Sequence, residues 1–178
     1  MKKVLFFTFL FLLSCSDLQK ETQQAKIKEL QGELSAHQIK FQNEFIDTLF
    51  DMKTNTSDLE QSIKKHYHSD TIDLAMGRKI DSYKRMRRML DALSRTGIML
   101  KHSFEEENEQ LKVLLSDVTN GYGQRDQYDN YIKLERTKNE QIFVLLNEYQ
   151  GLKKESFGIY DSLHVDLSLF VNQLIEAQ

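Results

Sequence analysis

The chain has 178 residues, of which 40% are hydrophobic and 29% charged, and its 24 basic and 27 acidic residues give a net charge of -3. That length suits one domain of ordinary size, and the apolar fraction excludes wholesale disorder. The net charge excludes the overall basic footprint of a nucleic-acid-binding protein. A single Cys excludes an internal disulfide and a Cys-based zinc site.

Residues 1–14 are predicted to be a signal peptide. Lys2 and Lys3 form a short basic start, and residues 4–13 then read VLFFTFLFLL, in which Thr8 is the only polar residue. At about 1.5 Å per residue, a helix of this length covers roughly half of a ~30 Å hydrocarbon core. We therefore interpret the segment as the apolar region of a signal peptide and not as a membrane span.

The last two residues of this apolar run and the two residues after it read Leu12-Leu13-Ser14-Cys15. This pattern resembles the lipobox of bacterial lipoprotein precursors. The resemblance implies that the thiol of Cys15 is diacylated and that the chain is cut just before it. Cys15 would then be the lipidated N-terminus of a protein of the cell envelope. The residue after Cys15 is Ser16 and not Asp, which favours the outer membrane if the source has two membranes.

The body of the chain is predicted to be all-α. Apolar residues recur at three- and four-residue steps, the chain contains no Pro, and no stretch alternates with a period of two. The predicted fold is an elongated antiparallel helical bundle of three long helices. These helices cover residues 18–54, 57–119 and 124–177.

Local capping chemistry sets the predicted boundaries. The tripeptide TNT at residues 54–56 ends the first helix, because short polar side chains compete for backbone hydrogen bonds. The sequence SDLE at residues 57–60 is a capping box that begins the second helix. Gly121 and Gly123 mark the turn between the second and third helices.

Such long helices are expected to bend, and Gly97 and residues 151–158 are the candidate positions. We predict one helical-bundle domain over residues 35–178, with residues 98–150 forming a helical hairpin arm. Residues 15–34 would be the lipidated N-terminus followed by a tether or by the start of the first helix. Because an arm cannot point into the membrane on a short linker, we expect either a tether or an arm that folds back.

A basic stripe is the first candidate site. Its residues lie opposite the apolar face of the second helix, which suggests a surface for an acidic partner. The alternative is a solvated face whose cations pair with carboxylates of neighbouring helices, such as those at residues 105–109. The stripe consists of Arg78, Lys84, Arg85, Arg88 and Arg95.

The tyrosines of the predicted hairpin tip form a second candidate. Tyr122 would contribute to a recognition surface, since Tyr gives a large contact area at low entropic cost. Tyr128 and Tyr131 either join it or plug the end of the bundle.

We predict neither a metal site nor a cofactor. Of the five His, only His164 has the spacing to a carboxylate, Asp161, that helical-bundle metal sites use, and the pattern occurs once. No catalytic motif is present, so we expect no enzyme and no catalytic residue.

These observations predict a lipid-anchored cell-envelope protein that acts as a non-catalytic helical interaction or scaffold module. Its partners would be the membrane, through the lipid, and an envelope protein, the cell wall or an external ligand. Nucleic acid is not expected, and a second copy could cover exposed apolar faces to make a homodimer. The alternatives are a helical ligand-binding or sensor domain and an inhibitor or immunity lipoprotein.

Overall fold

The computed structural model describes residues 18–45, 48–68 and 73–177, so Cys15 and the predicted signal peptide lie outside the described residues. The helices, in chain order, are α1 (Lys2–Glu44), α2 (Leu49–His66), α3 (Leu74–Asn120) and α4 (Tyr128–Glu176), with a 3-10 turn at Arg125–Gln127 before α4. The described residues contain no β-strand, which confirms the all-α prediction. No helix in these ranges is both long and apolar enough to cross a bilayer.

The predicted boundary at residues 54–57 is wrong. Helix α1 ends earlier, at Glu44, and α2 runs through this segment without a break. Thr56 is fully buried, and its hydroxyl donates to the carbonyl of Met52 over 2.6 Å, so the side chain is satisfied within the helix. Burial of Leu59 and Ile63 in the core outweighs the weak local preference for a turn.

The single helix predicted over residues 57–119 is two helices, because α2 ends at His66 and α3 begins at Leu74. Asp73 caps the start of α3: its carboxylate accepts hydrogen bonds from the backbone N–H groups of Ala75 (2.9 Å) and Met76 (3.0 Å). These bonds satisfy donors that the first helical turn leaves free. The turn predicted at Gly121 and Gly123 is confirmed, since α3 ends at Asn120 and α4 begins at Tyr128.

The chain forms two compact units. Unit 1 contains Met1–Asn43 and Leu100–Val144, and unit 2 contains Glu44–Met99 and Leu145–Gln178. Helices α3 and α4 contribute to both units and stay helical through the predicted bends at Gly97 and residues 151–158.

Unit 1 is a three-helix bundle made by α1 and the adjoining parts of α3 and α4. From residue 18 onward α1 is helical and packs along the hairpin made by α3 and α4. The reason is its apolar stripe, since Ile27, Leu30 and Leu34 are all fully buried. The other buried apolar residues of unit 1 are Phe41, Leu100, Phe104, Leu111, Leu114, Val118, Tyr128, Ile132 and Ile142.

Unit 2 packs α2 against the first half of α3 and the second half of α4. Helix α2 runs antiparallel to α3, as the ion pairs from Lys53 to Asp91 (2.7 Å) and from Glu60 to Arg87 (3.0 Å) indicate. The central core cluster consists of Met52, Leu59, Ile63, Tyr83, Met86, Leu90, Leu167 and Val171.

Candidate functional site

The predicted basic stripe lies on the outer face of α3 in unit 2. All five of its side chains are exposed, and Arg85 pairs with Glu155 over 3.7 Å. The other four form no ion pair with any described residue. They are Arg78, Lys84, Arg88 and Arg95. Of the carboxylates expected to neutralise the stripe, Glu105 lies near His102 and Glu109 near Lys112, each at 3.8 Å.

The three tyrosines of the hairpin tip differ in their burial and in their hydrogen bonds. Tyr128 is buried, and its hydroxyl donates to the carbonyl oxygens of Asp117 (2.9 Å) and Tyr122 (2.5 Å). It therefore closes the end of unit 1 and fixes the turn that follows α3. Tyr131 is partly exposed at 39%, whereas 62% of Tyr122 is exposed.

A groove between α2 and α3 in unit 2 was not predicted. It has a volume of about 350 Å³, near the lower end of the range for small-molecule sites. Both helices contribute apolar and polar residues to it. The lining is formed by Glu60, Gln61, Ile63, Lys64, Tyr67, Ile80, Tyr83 and Lys84.

Some polar groups of the groove are exposed and others are buried. Lys64 and Lys84 are exposed and form no ion pair with a described residue. Glu60 Oε2 pairs with Arg87, while its other oxygen is buried without a hydrogen-bond partner among the described residues. The groove thus combines an apolar wall with two cations at its rim and one buried acceptor.

Next to this groove, the fully buried Tyr83 contacts the partly buried His164. The Tyr83 hydroxyl lies 2.5 Å from His164 Nδ1, and the His164 ring stacks on Tyr160 with centroids 4.4 Å apart. Burial raises the pKa of Tyr83 to about 12 and lowers the pKa of His164. Both shifts favour the neutral forms of the two groups, which share this hydrogen bond. The Nδ1 atom of His164 is therefore occupied by its contact with Tyr83.

Unit 1 contains a second buried polar group, formed by Glu107 of α3 with Glu135 and Asn139 of α4. These residues are at most 7% exposed. Burial, followed by the charge of Glu135, raises the pKa of Glu107 to about 7. Lys138 lies 2.6 Å from Glu135, and Asn139 donates to the carbonyl of Leu30 over 2.9 Å. Glu107 Oε1 and Asn139 Oδ1 have no hydrogen-bond partner among the described residues.

Sequence reasoning missed this group although a signal was present. Glu107 occupies a position of the apolar stripe between Phe104 and Leu111, and Glu135 occupies the corresponding position after Ile132 on α4. A charged residue in an otherwise apolar stripe indicates a buried ionisable group.

The described side chains form no cluster of three or more His, Cys, Asp or Glu residues placed to hold a metal ion. Comparison with family models, with curated proteins and with solved structures finds no match for this chain. Any function therefore has to be argued from the surfaces and cavities themselves.

Proposed function

We propose that this chain is a lipid-anchored cell-envelope protein that acts as a non-catalytic helical interaction module. The anchor is the lipid on Cys15, and the outer membrane is its location if the source has two membranes. The partner is an envelope component with a negatively charged surface. The lipobox resemblance supports the location, and the charge on α3 supports the kind of partner.

The observation that carries the proposal is the unpaired cationic face of α3. Arg88 and Arg95 lie seven residues apart, so they are close on the same helical face, and both are exposed without an ion pair among the described residues. Exposed cations that are not neutralised within the fold raise the local concentration of anionic partners and speed their association.

The test is charge reversal on this face. The double variant Arg88→Glu/Arg95→Glu and the wild type are each immobilised and incubated with a solubilised envelope fraction at physiological ionic strength. We expect the variant to lose the retained envelope component and the wild type to release it as salt is raised, since exposed charges are screened.

Lys101→Glu/Lys133→Glu is the matched control. Both lysines are exposed in unit 1 and form no ion pair with a described residue, so the net charge changes equally at a different place. Equal binding by wild type and both variants would contradict the proposal. Equal loss in both variants would show that only net charge matters, which also contradicts a specific surface on α3.

The groove between α2 and α3 supports a second candidate function, namely binding of a small ligand. A cavity of about 150 Å³ accommodates benzene, so about 350 Å³ has room for a body of roughly two rings. Ile63, Ile80 and Tyr67 would contact the apolar part, and Lys64 and Lys84 would pair with an anionic group. The ligand would therefore be a small anionic amphiphile.

The fluorescent naphthalene sulfonate ANS has this chemistry and serves as the probe. We expect saturable binding at pH 7 that weakens strongly in Lys64→Glu/Lys84→Glu and is unchanged in Lys101→Glu/Lys133→Glu. Helical content measured by circular dichroism checks that each variant is folded. An ANS titration that is the same in all three proteins would exclude the groove as the site.

A further inference from the structure

In unit 1 the first described residues of α1, from Leu18 onward, lie at the hairpin tip. Gln24 donates to Thr119 over 2.9 Å, close to the end of α3, and Lys26 lies 3.6 Å from Asp129 at the start of α4. Farther along α1, Gln38 accepts a hydrogen bond from Asn108 over 3.0 Å. Helix α1 therefore runs away from the tip, and its earliest described residues are the ones closest to it.

The length of chain before these residues limits where the tip can be. Cys15 precedes Leu18 by three residues, and three residues span at most about 11 Å even when fully extended. Acyl chains on Cys15 would be buried in the bilayer. Leu18, and with it the hairpin tip, must then stay within a short distance of the membrane surface.

The chemistry of the tip suits this position. Gly121 and Gly123, with φ of 70° and 75°, form a tight turn that leaves Tyr122 exposed, while the Tyr128 hydroxyl holds the Tyr122 carbonyl. Tyrosine is enriched at membrane–water interfaces because its ring is apolar and its hydroxyl is polar.

A polar cavity of about 300 Å³ opens at the same end of unit 1. Lys20, Thr119, Asn120 and Arg125 are among its lining residues. Arg125 Nε donates to the carbonyl of Gly121 over 2.9 Å, and neither Arg125 nor Lys20 forms an ion pair with a described residue. Two cations with neighbouring amide and hydroxyl groups are suited to bind a phosphate.

We propose that the hairpin tip of unit 1 rests on the membrane surface, with Tyr122 among the phospholipid headgroups and with Lys20 and Arg125 contacting a lipid phosphate. This inference rests on the lipid anchor at Cys15 that the proposed function includes. Glu21 and Asp126 are also exposed at this end. Because they offset the two cations, the contact is with individual headgroup phosphates and needs no excess of anionic lipid.

The sequence allows a direct test, since it contains no Trp and one Cys. The processed chain beginning at Cys15 is coupled through its thiol to a maleimide lipid in phosphatidylcholine vesicles. The anchor is then supplied chemically, so the result does not depend on whether a cell acylates Cys15. Tyr122→Trp places a reporter at the tip, and a spin-labelled lipid quenches its fluorescence on contact.

Ile39→Trp is the matched control, because Ile39 is 55% exposed in unit 1 and lies 20 residues after Gln19 on α1, or about 30 Å along the helix. We expect the lipid to quench and blue-shift the fluorescence of the Tyr122→Trp variant but not that of the Ile39→Trp variant, with little change when anionic lipid is added. Equal quenching of both variants, or no quenching of the Tyr122→Trp variant, would overturn the proposal.

A second variant tests the phosphate contact. Lys20→Glu in the Tyr122→Trp background should reduce quenching, whereas Lys133→Glu should leave it unchanged, and circular dichroism checks that both remain folded. Unchanged quenching in Lys20→Glu would remove the phosphate contact from the account. Failure of acylation in cells would overturn the anchor of the proposed function, whereas failure of quenching on the chemically anchored chain would overturn the contact of the tip with lipid.

Discussion

The side chain of Gln24 donates a hydrogen bond to Thr119 over 2.9 Å and joins the early part of α1 to the end of α3. This contact and the buried stripe of α1 make residues 18–43 part of a bundle. Of the two alternatives for this segment, a tether or the start of the first helix, the described residues show a helix from residue 18 onward, and its first described residues lie at the hairpin tip.

Truncation of the buried stripe of α1 tests this packing. Leu30 is fully buried, so Leu30→Ala should lower the free energy of unfolding by about 2–5 kcal/mol. Leu18 is 66% exposed, so Leu18→Ala should change it by no more than about 0.5 kcal/mol. Urea unfolding measures both. A flexible tether would instead make the two substitutions equally harmless.

The buried Glu107 predicts that stability falls with rising pH. Its pKa is raised from 4.5 to about 7, so the folded protein keeps a proton that the unfolded chain has already lost in this range. The contribution of Glu107 to the free energy of unfolding should be largest below pH 4.5, fall by at most about 1.4 kcal/mol per pH unit, and level off above pH 7.

Glu107→Gln isolates this effect, because Gln has nearly the same shape and cannot ionise. We expect the variant to lose the decline between pH 5 and 7 and to be more stable than the wild type at pH 8. Glu106→Gln is the control, since Glu106 is exposed beside it and should keep the wild-type slope. The explanation fails if Glu107→Gln and the wild type decline in parallel.

Two glycines of different conformation are expected to respond in opposite directions. Gly121 has φ of 70°, and an added Cβ would lie 2.5 Å from an Arg125 guanidinium nitrogen, so Gly121→Ala should cost about 1–2 kcal/mol. Gly151 lies inside α4 with open space around it, so Gly151→Ala should stabilise by about 0.5–1 kcal/mol. Thermal unfolding compares them. Destabilisation by Gly151→Ala would indicate that α4 needs a break at this position.

Much of the fold could be predicted because helical periodicity is a strong signal. Ile27, Leu30 and Leu34 follow one another at steps of three and four residues, which is the spacing of one helical face, and all three are buried. The boundaries were harder, because the local preferences around Thr56 are worth a fraction of a kcal/mol and core burial outweighs them. The Asp73 cap was missed because Leu74 continues the apolar pattern of the preceding helix.

The candidate sites depended even more on tertiary structure. Exposure of Arg88 and Tyr122 followed from their place on a helical face and at a turn. The groove beside Tyr83 needs two helices that are distant in sequence, and no spacing within one helix reveals it. Periodicity alone also could not say which face of α3 meets α2.

Lipid attachment at Cys15 is the central claim, and metabolic labelling tests it most directly. The chain with a C-terminal tag is expressed in a bacterium that processes lipoproteins, in medium containing an alkyne analogue of palmitate, beside Cys15→Ala. We predict that the wild type is labelled and fractionates with membranes, that its mature form begins at a modified Cys15, and that Cys15→Ala is unlabelled. A wild-type protein that carries no acyl group and begins at another residue would contradict the account.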